Sequence, residues 1–244
     1  MLSDNLSRVR QRISQACQRS GRDPSSVTLV CVTKGVALEA IRQVVDLGIT
    51  DVGENRIQEA RTKIPALARA GVQWHLIGHL QRNKAKEAVE LFDMIHSVDS
   101  LSLAEELERQ AAKRAHTKEV LIQVNVSGEA TKFGCRAEEA LGFARAVSRL
   151  DHLRLRGLMT IPPLTDDPEA ARPHFHRLRQ LRDEVATALS LEPTALSLSM
   201  GMSSDFEVAI EEGADLVRIG TAIFGDQRPE TRDQRLEKEN GKDD

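Results

Sequence analysis

Tyrosine is absent from this 244-residue chain, and aromatic residues altogether make up 3% of it, with six Phe and one Trp. No phenol is therefore available within the chain as a catalytic acid or base. Cysteine is scarce too. Cys17, Cys31 and Cys135 are widely separated, odd in number and form no C-x-x-C pair, which argues against a disulfide framework or a thiolate metal site and fits free thiols in a reducing compartment. No apolar run is long enough to span a bilayer, and the opening MLSDNLSRVRQRIS has no apolar h-region, so the expected location is the cytoplasm, away from membranes. Neither sign of charge is in excess: 34 Lys and Arg stand against 37 Asp and Glu, for a net charge of -3. Nucleic acid is not indicated as a partner.

What the chain does have is a repeated alternation of β-branched runs with amphipathic stretches. Leu2, Leu6, Val9, Ile13 and Cys17 recur at helical spacing and predict a first helix ending near Gly21. Strands are then expected at 27–34, 49–53, 72–78, 94–98, 120–126, 153–161, 196–200 and 216–220. Helices are expected between them at 37–47, 56–70, 83–92, 101–115, 137–150, 169–190 and 204–212. Eight strands alternating with helices over about 200 residues predict an α/β fold, a single (β/α)8 TIM-type barrel with an extra N-terminal helix. The structural alternative is an open doubly wound sheet. It is weakened because G-x-G-x-x-G follows no strand. The barrel is assigned to residues 1–225. Residues 226–244 carry twelve charged side chains with little apolar periodicity and are expected to form a disordered tail.

The first strand, VTLVCVTK, has no polar alternation until it ends in Lys34, followed by Gly35. A lysine at the mouth of an apolar site loses part of the hydration that favours its ammonium form. A neutral amine then becomes available for a Schiff base with an aldehyde, pyridoxal phosphate being the common one. The plain alternative is a solvated lysine closing a strand.

In such a barrel the active site lies at the carboxyl ends of the strands, and phosphate commonly binds after strands seven and eight. Met200-Gly201-Met202-Ser203-Ser204-Asp205 after strand seven offers backbone N–H groups for an anion, or simply a helix start with Ser203 or Ser204 as N-cap. After strand eight, Arg218 shares a strand face with Gly220, and Thr221 follows with its hydroxyl. Asn55, in Gly53-Glu54-Asn55-Arg56, is placed either to meet a ligand or to cap the next helix. Capping is the plainer role. His75 reads as a hydrogen-bonded core residue and His79 as the better site candidate. Met159 could face a flat ring or fill the barrel. His174 and His176 lack partners for metal ligation.

Lys34, GENR, WHLIGHLQRNK, GLMT, LSMGMSSDFEVAI and VRIGTAIFG occur in this order. With them the chain resembles the pyridoxal phosphate homeostasis proteins, the YggS or PROSC family, over roughly residues 5 to 225. The resemblance implies a fold-type III barrel like the amino-terminal domain of alanine racemase. It implies pyridoxal 5'-phosphate bound as a Schiff base on Lys34, with Ser203, Gly220 and Thr221 at the phosphate, Arg218 facing the pyridine nitrogen, and Asn55 and Met202 close by. The expected role is to buffer and supply the cofactor, without robust turnover, to pyridoxal phosphate-dependent apoenzymes. A monomer is compatible with this. The alternative is an amino-acid racemase or lyase of limited scope, and a Schiff-base aldolase ranks below both. Where the family usually has tyrosine after GEN and serine before the lysine, this chain has Arg56 and Thr33.

Overall fold

The computed structural model describes residues 1–67 and 71–225. The charged tail at 226–244 therefore lies outside the described residues, as does the end of the helix expected at 56–70. Among the described residues the strands are β1 (Thr28–Val32), β2 (Asp51–Glu54), β3 (Gln73–Leu76), β4 (Met94–Val98), β5 (Lys118–Asn125), β6 (Cys135–Arg136), β7 (Leu153–Met159), β8 (Ser197–Ser199) and β9 (Leu216–Ile219). The helices are α1 (Leu2–Ser20), α2 (Leu38–Asp46), α3 (Ile57–Ala66), α4 (Ala85–Leu91), α5 (Leu101–Ala112), α6 (Ala140–Val147), α7 (Arg172–Ala188), α8 (Phe206–Glu211) and α9 (Thr221–Phe224). The strand order β4-β3-β2-β1-β9-β8-β7-β5, with β4 also paired to β5, closes an eight-stranded parallel barrel. The open sheet is thereby excluded. The two-residue β6 is an addition beside β5, too short to leave a periodic signal in the sequence.

Two apolar layers make the molecule. The outer one lies between barrel and helices and includes Val52, Leu76, Ile95, Phe175 and Phe206, all at most 1% exposed. Because β-strand side chains alternate, the other face of each strand points into the barrel. The extra helix α1 buries Leu6, Val9, Ile13, Ala16 and Cys17 against α8, α9 and α2. Since α9 has only four residues, α1 supplies the helical cover that the last βα unit lacks. Arg12 fixes it there, donating to both Glu207 carboxylate oxygens at 2.8 and 2.7 Å and lying 4.6 Å over the Phe206 ring.

The pairing of β5 with β7 slips by one residue beside Arg156, a bulge that brings Leu121 opposite Gly157. Gly157 has φ +149°, and a Cβ there would lie 1.9 Å from the Ser197 carbonyl oxygen of β8. Gly157→Ala is therefore expected to lower stability by about 3 kcal/mol, read by urea denaturation, because β8 must move away from β7 to admit one methyl group. An unchanged midpoint would show that this strand pair is loosely held.

Candidate functional site

The carboxyl ends of β1, β2, β8 and β9 meet around a cleft of about 510 Å³. Lys34, Asn55, Met202, Ser203, Arg218, Gly220 and Thr221 all line it, together with apolar Val32, Ile77, Ile161 and Leu164. The structure thus brings all seven sequence-derived candidates to one place. Gly220 is what lets β9 approach β1 here: a Cβ on it would stand 3.0 Å from the Val32 carbonyl oxygen. Ser203 reaches from the β8 turn to the start of α9, its Oγ accepting from the Ala222 N–H at 3.3 Å, so the two loops suited to an anion are tied to each other.

Lys34 does not end the strand. Pairing of β1 stops at Val32, and Lys34 lies in a turn in which the Val36 N–H donates to the Thr33 carbonyl at 3.0 Å. Its side chain is exposed, which corrects the expectation of a dehydrated amine: two residues beyond the last paired residue, the cleft is open to water. The Lys34 ammonium makes no ion pair or hydrogen bond among the described residues.

The turn carrying Lys34 is clamped on both flanks. Lys63, on α3, donates to the Thr33 carbonyl (2.7 Å), to Glu54 Oε1 (2.7 Å) and to Glu59 Oε2 (2.8 Å). Thr33 Oγ1 donates to Glu54 Oε1 at 2.6 Å, and the Gly35 N–H donates to Glu59 Oε2 at 2.8 Å. Glu54 is fully buried. Desolvation raises its carboxyl above the usual range, with the Lys63 and Thr33 hydrogen bonds opposing. Glu59 moves the other way: burial is outweighed by its bonds to Lys63 and the Gly35 N–H, which hold it low. Sequence reasoning missed this clamp. The Glu59–Lys63 pair at i, i+4 was legible in α3, but the burial of Glu54 had no local signal.

Arg218 is 3% exposed, so it is neither a solvated strand end nor a surface ion pair. Its Nη1 donates to Ser199 Oγ at 2.7 Å and its Nη2 to the Thr160 carbonyl at 2.8 Å. Burial pulls the guanidinium down to about 10, with the Asp205 carboxylate holding it up, and it remains a cation at neutral pH. Two of its five N–H donors are engaged within the protein. Arg218 is also one of the residues lining the cleft.

Three expectations are corrected. Neither Ser203 nor Ser204 caps α8: Asp205 is its N-cap, and Asp205 Oδ1 instead accepts the Met202 N–H at 2.6 Å, closing the turn. Asn55 does not cap α3, whose N-cap is Arg56, and the buried Asn55 Oδ1 has no hydrogen-bond partner among the described residues. An orphaned polar atom at the edge of a cleft is the mark of a group that meets a ligand. His79 does not reach the cleft. It pairs with Asp99 at 3.2 Å, stacks on Phe133 at 3.9 Å, and lines a separate depression with Arg56 and Lys84. Met159 is fully buried and packs inside the barrel, His75 is buried and hydrogen-bonded, and His176 lies 3.3 Å from Glu212 Oε2. The three cysteines are free and buried, and burial pushes Cys31 and Cys135 up to about 12.

The family model of the alanine racemase N-terminal domain matches residues 5–228 of this closed parallel barrel. The fold likeness extends to alanine racemase from Clostridium difficile, at TM-score 0.71 and 15% identity over 96% of this chain and 59% of that one. A relative from Aquifex aeolicus named pyridoxal phosphate homeostasis protein is 44% identical over 92% of this chain and 98% of its own length. PipY of Synechococcus elongatus, solved with pyridoxal phosphate bound, superposes at TM-score 0.80 with 36% identity, covering 92% of this chain and all of that one. The chain belongs to the pyridoxal phosphate homeostasis protein family.

Proposed function

We propose that this protein binds pyridoxal 5'-phosphate through a Schiff base to Lys34 and acts in cofactor homeostasis, holding and supplying it without robust turnover. The observation that carries the reading is the convergence of Lys34, unpartnered among the described residues, with the other six candidates on one cleft. The residues fit the group. Ser203, Thr221 and the backbone at Gly220 form a small polar cradle for a phosphate, the orphaned Asn55 Oδ1 awaits a donor, and Arg218 offers N–H donors to a ring acceptor. When bound, the cofactor supplies an electrophilic carbonyl and an electron-withdrawing ring.

Arg218 weighs against strong carbanion chemistry. A buried cation facing the pyridine nitrogen disfavours its protonation and weakens the ring as an electron sink. The chain also has no tyrosine to act as a second base opposite Lys34. Among the described residues no helix is long and apolar enough to cross a membrane, and a cytoplasmic monomer delivering cofactor to pyridoxal phosphate-dependent apoenzymes is the reading that accompanies the carrier role.

The test is the near-visible spectrum of the purified protein with pyridoxal phosphate, before and after borohydride, followed by mapping of the reduced adduct. A band that disappears on reduction, with the pyridoxyl mass on Lys34, is the expected result, whereas no band after adding the cofactor overturns the reading. Incubation with amino acids in deuterated water separates carrier from enzyme. Stoichiometric exchange or none is expected, and many turnovers of α-hydrogen exchange would make the protein a racemase or lyase.

A further inference from the structure

A row of four hydrogen bonds crosses the inside of the barrel beneath the cleft. Arg218 Nη1 donates to Ser199 Oγ at 2.7 Å, Ser199 Oγ lies 2.9 Å from His96 Nδ1, His96 Nε2 lies 2.9 Å from His75 Nδ1, and His75 Nε2 lies 2.9 Å from Asp51 Oδ1. The row draws on β9, β8, β4, β3 and β2 in turn, and Ser199, His96, His75 and Arg218 are each at most 3% exposed. The two imidazole rings meet edge-on at 5.1 Å. Asp51 is the exception to this burial. Its side chain is 19% exposed, and it borders a second cleft, of about 360 Å³, at the amino-terminal end of the barrel.

With both rings neutral, the ends of the row fix the direction of every link. A guanidinium can only donate, so Ser199 Oγ accepts from Arg218, and the single hydroxyl hydrogen goes to His96 Nδ1. A neutral His96 then carries its hydrogen on Nε2 and donates to His75 Nδ1. A neutral His75 in turn donates from Nε2 to the Asp51 carboxylate. In the reverse direction His96 and Arg218 would both donate to Ser199 Oγ, and the hydroxyl hydrogen would have no acceptor among the described residues. The ionisable groups facing this interior are Asp51, His75, His96, Arg218 and, from the turn before α8, Asp205. Desolvation first, with the nearby Arg218 guanidinium adding to it, holds His96 well below its ordinary value. At Asp51, burial is outweighed by the His75 and Thr50 hydrogen bonds, which keep the carboxylate charged.

We propose that Asp51, His75 and His96 are positioning residues that act through Ser199 on Arg218. The carboxylate at the far end of the barrel sets the tautomer of both histidines. They set the direction of the Ser199 hydroxyl, and Ser199, kept an acceptor, holds the guanidinium with its remaining donors toward the cleft. The coupling to bound cofactor rests on the reading that Arg218 faces the ring of pyridoxal phosphate. The tautomers do not depend on it.

Two measurements test this on the full chain. Two-bond ¹H–¹⁵N correlation spectra of the cofactor-free protein report which ring nitrogen carries hydrogen. His75 and His96 are expected as Nε2–H tautomers, to gain Nδ1–H character in Asp51→Ala, and to return to Nε2–H in Asp51→Asn, which restores an acceptor. The second readout is the pH titration of the near-visible band of protein loaded with pyridoxal phosphate. Asp51→Ala and Ser199→Ala, which cut the row at different links, are each expected to move its midpoint by about half a unit or more. Wild-type tautomers in Asp51→Ala overturn the proposal, and so does an unmoved midpoint in Ser199→Ala. Failure of the wild-type protein to take up pyridoxal phosphate overturns instead the reading of the cleft and the link from Arg218 to the cofactor, while the tautomer result still decides the row itself.

Discussion

Lys34→Ala is expected to abolish the borohydride-trapped adduct and to weaken pyridoxal phosphate binding about a hundredfold, or about 2.7 kcal/mol. The side chain is exposed and makes no hydrogen bond or ion pair among the described residues, so the unfolding midpoint should stay within about 0.5 kcal/mol of wild type. Residual binding is expected because the cradle of Ser203, Gly220 and Thr221 and the donors of Arg218 are untouched. Lys34→Arg separates charge from covalency: it restores a cation at the rim but forms no Schiff base. The adduct should be absent from both variants. An adduct that persists and maps to another lysine would remove Lys34 from its proposed role, whatever the family relationship.

Lys63→Met is expected to cost about 3–5 kcal/mol of stability, because it leaves the fully buried Glu54 without its counter-ion and frees the turn that presents Lys34. Glu54 already titrates above the ordinary carboxylate range. A carboxyl raised in the folded state binds its proton more tightly there than in the unfolded chain. Its contribution to stability is therefore full at acid pH and is lost as pH rises through its folded value. Without Lys63 the raise becomes larger, so the gap between wild type and variant should be widest at neutral pH and should narrow on acidification. Denaturant unfolding at pH 7 and pH 5 measures both gaps. A gap that does not change with pH would mean that Lys63 acts through the Thr33 carbonyl and Glu59 rather than through Glu54. In the same variant the adduct should form more slowly, since Thr33 loses the ammonium that fixes its carbonyl.

How far these sites could be seen in advance differed by the kind of signal. Met94–Val98 is a strand over the same five residues that its apolar run predicts, since a strand covered on both faces is written locally. The stretch at 27–34 was read too long at both ends. Thr33 is as β-prone as the residues before it and still donates its N–H to the Gly53 carbonyl of β2 at 2.9 Å, but the Gly35 turn, at φ +67°, ends the pairing there. At the helix starts local chemistry misled. Ser203, Ser204 and Asn55 are all good capping residues, yet Asp205 holds the N-cap position of α8 and Asn55 keeps a buried oxygen unpartnered among the described residues. His79 follows a strand end just as Lys34 does, but Asp99 and Phe133 hold it to one side.

The sequence by itself determined the alternation of strands and helices, and with it the barrel. It also determined the family and seven of the residues that line the cleft, because strand ends carry their functional residues within a few positions of a legible apolar run. Tertiary structure alone decided what stands behind those residues. The clamp of Glu54, Glu59 and Lys63, and the row from Asp51 to Arg218, join residues as far apart in the chain as His96 and Ser199, 103 positions. Each of these side chains sits at an ordinary place in its own element. Only closure of the barrel brings them within hydrogen-bond distance and withdraws most of them from water.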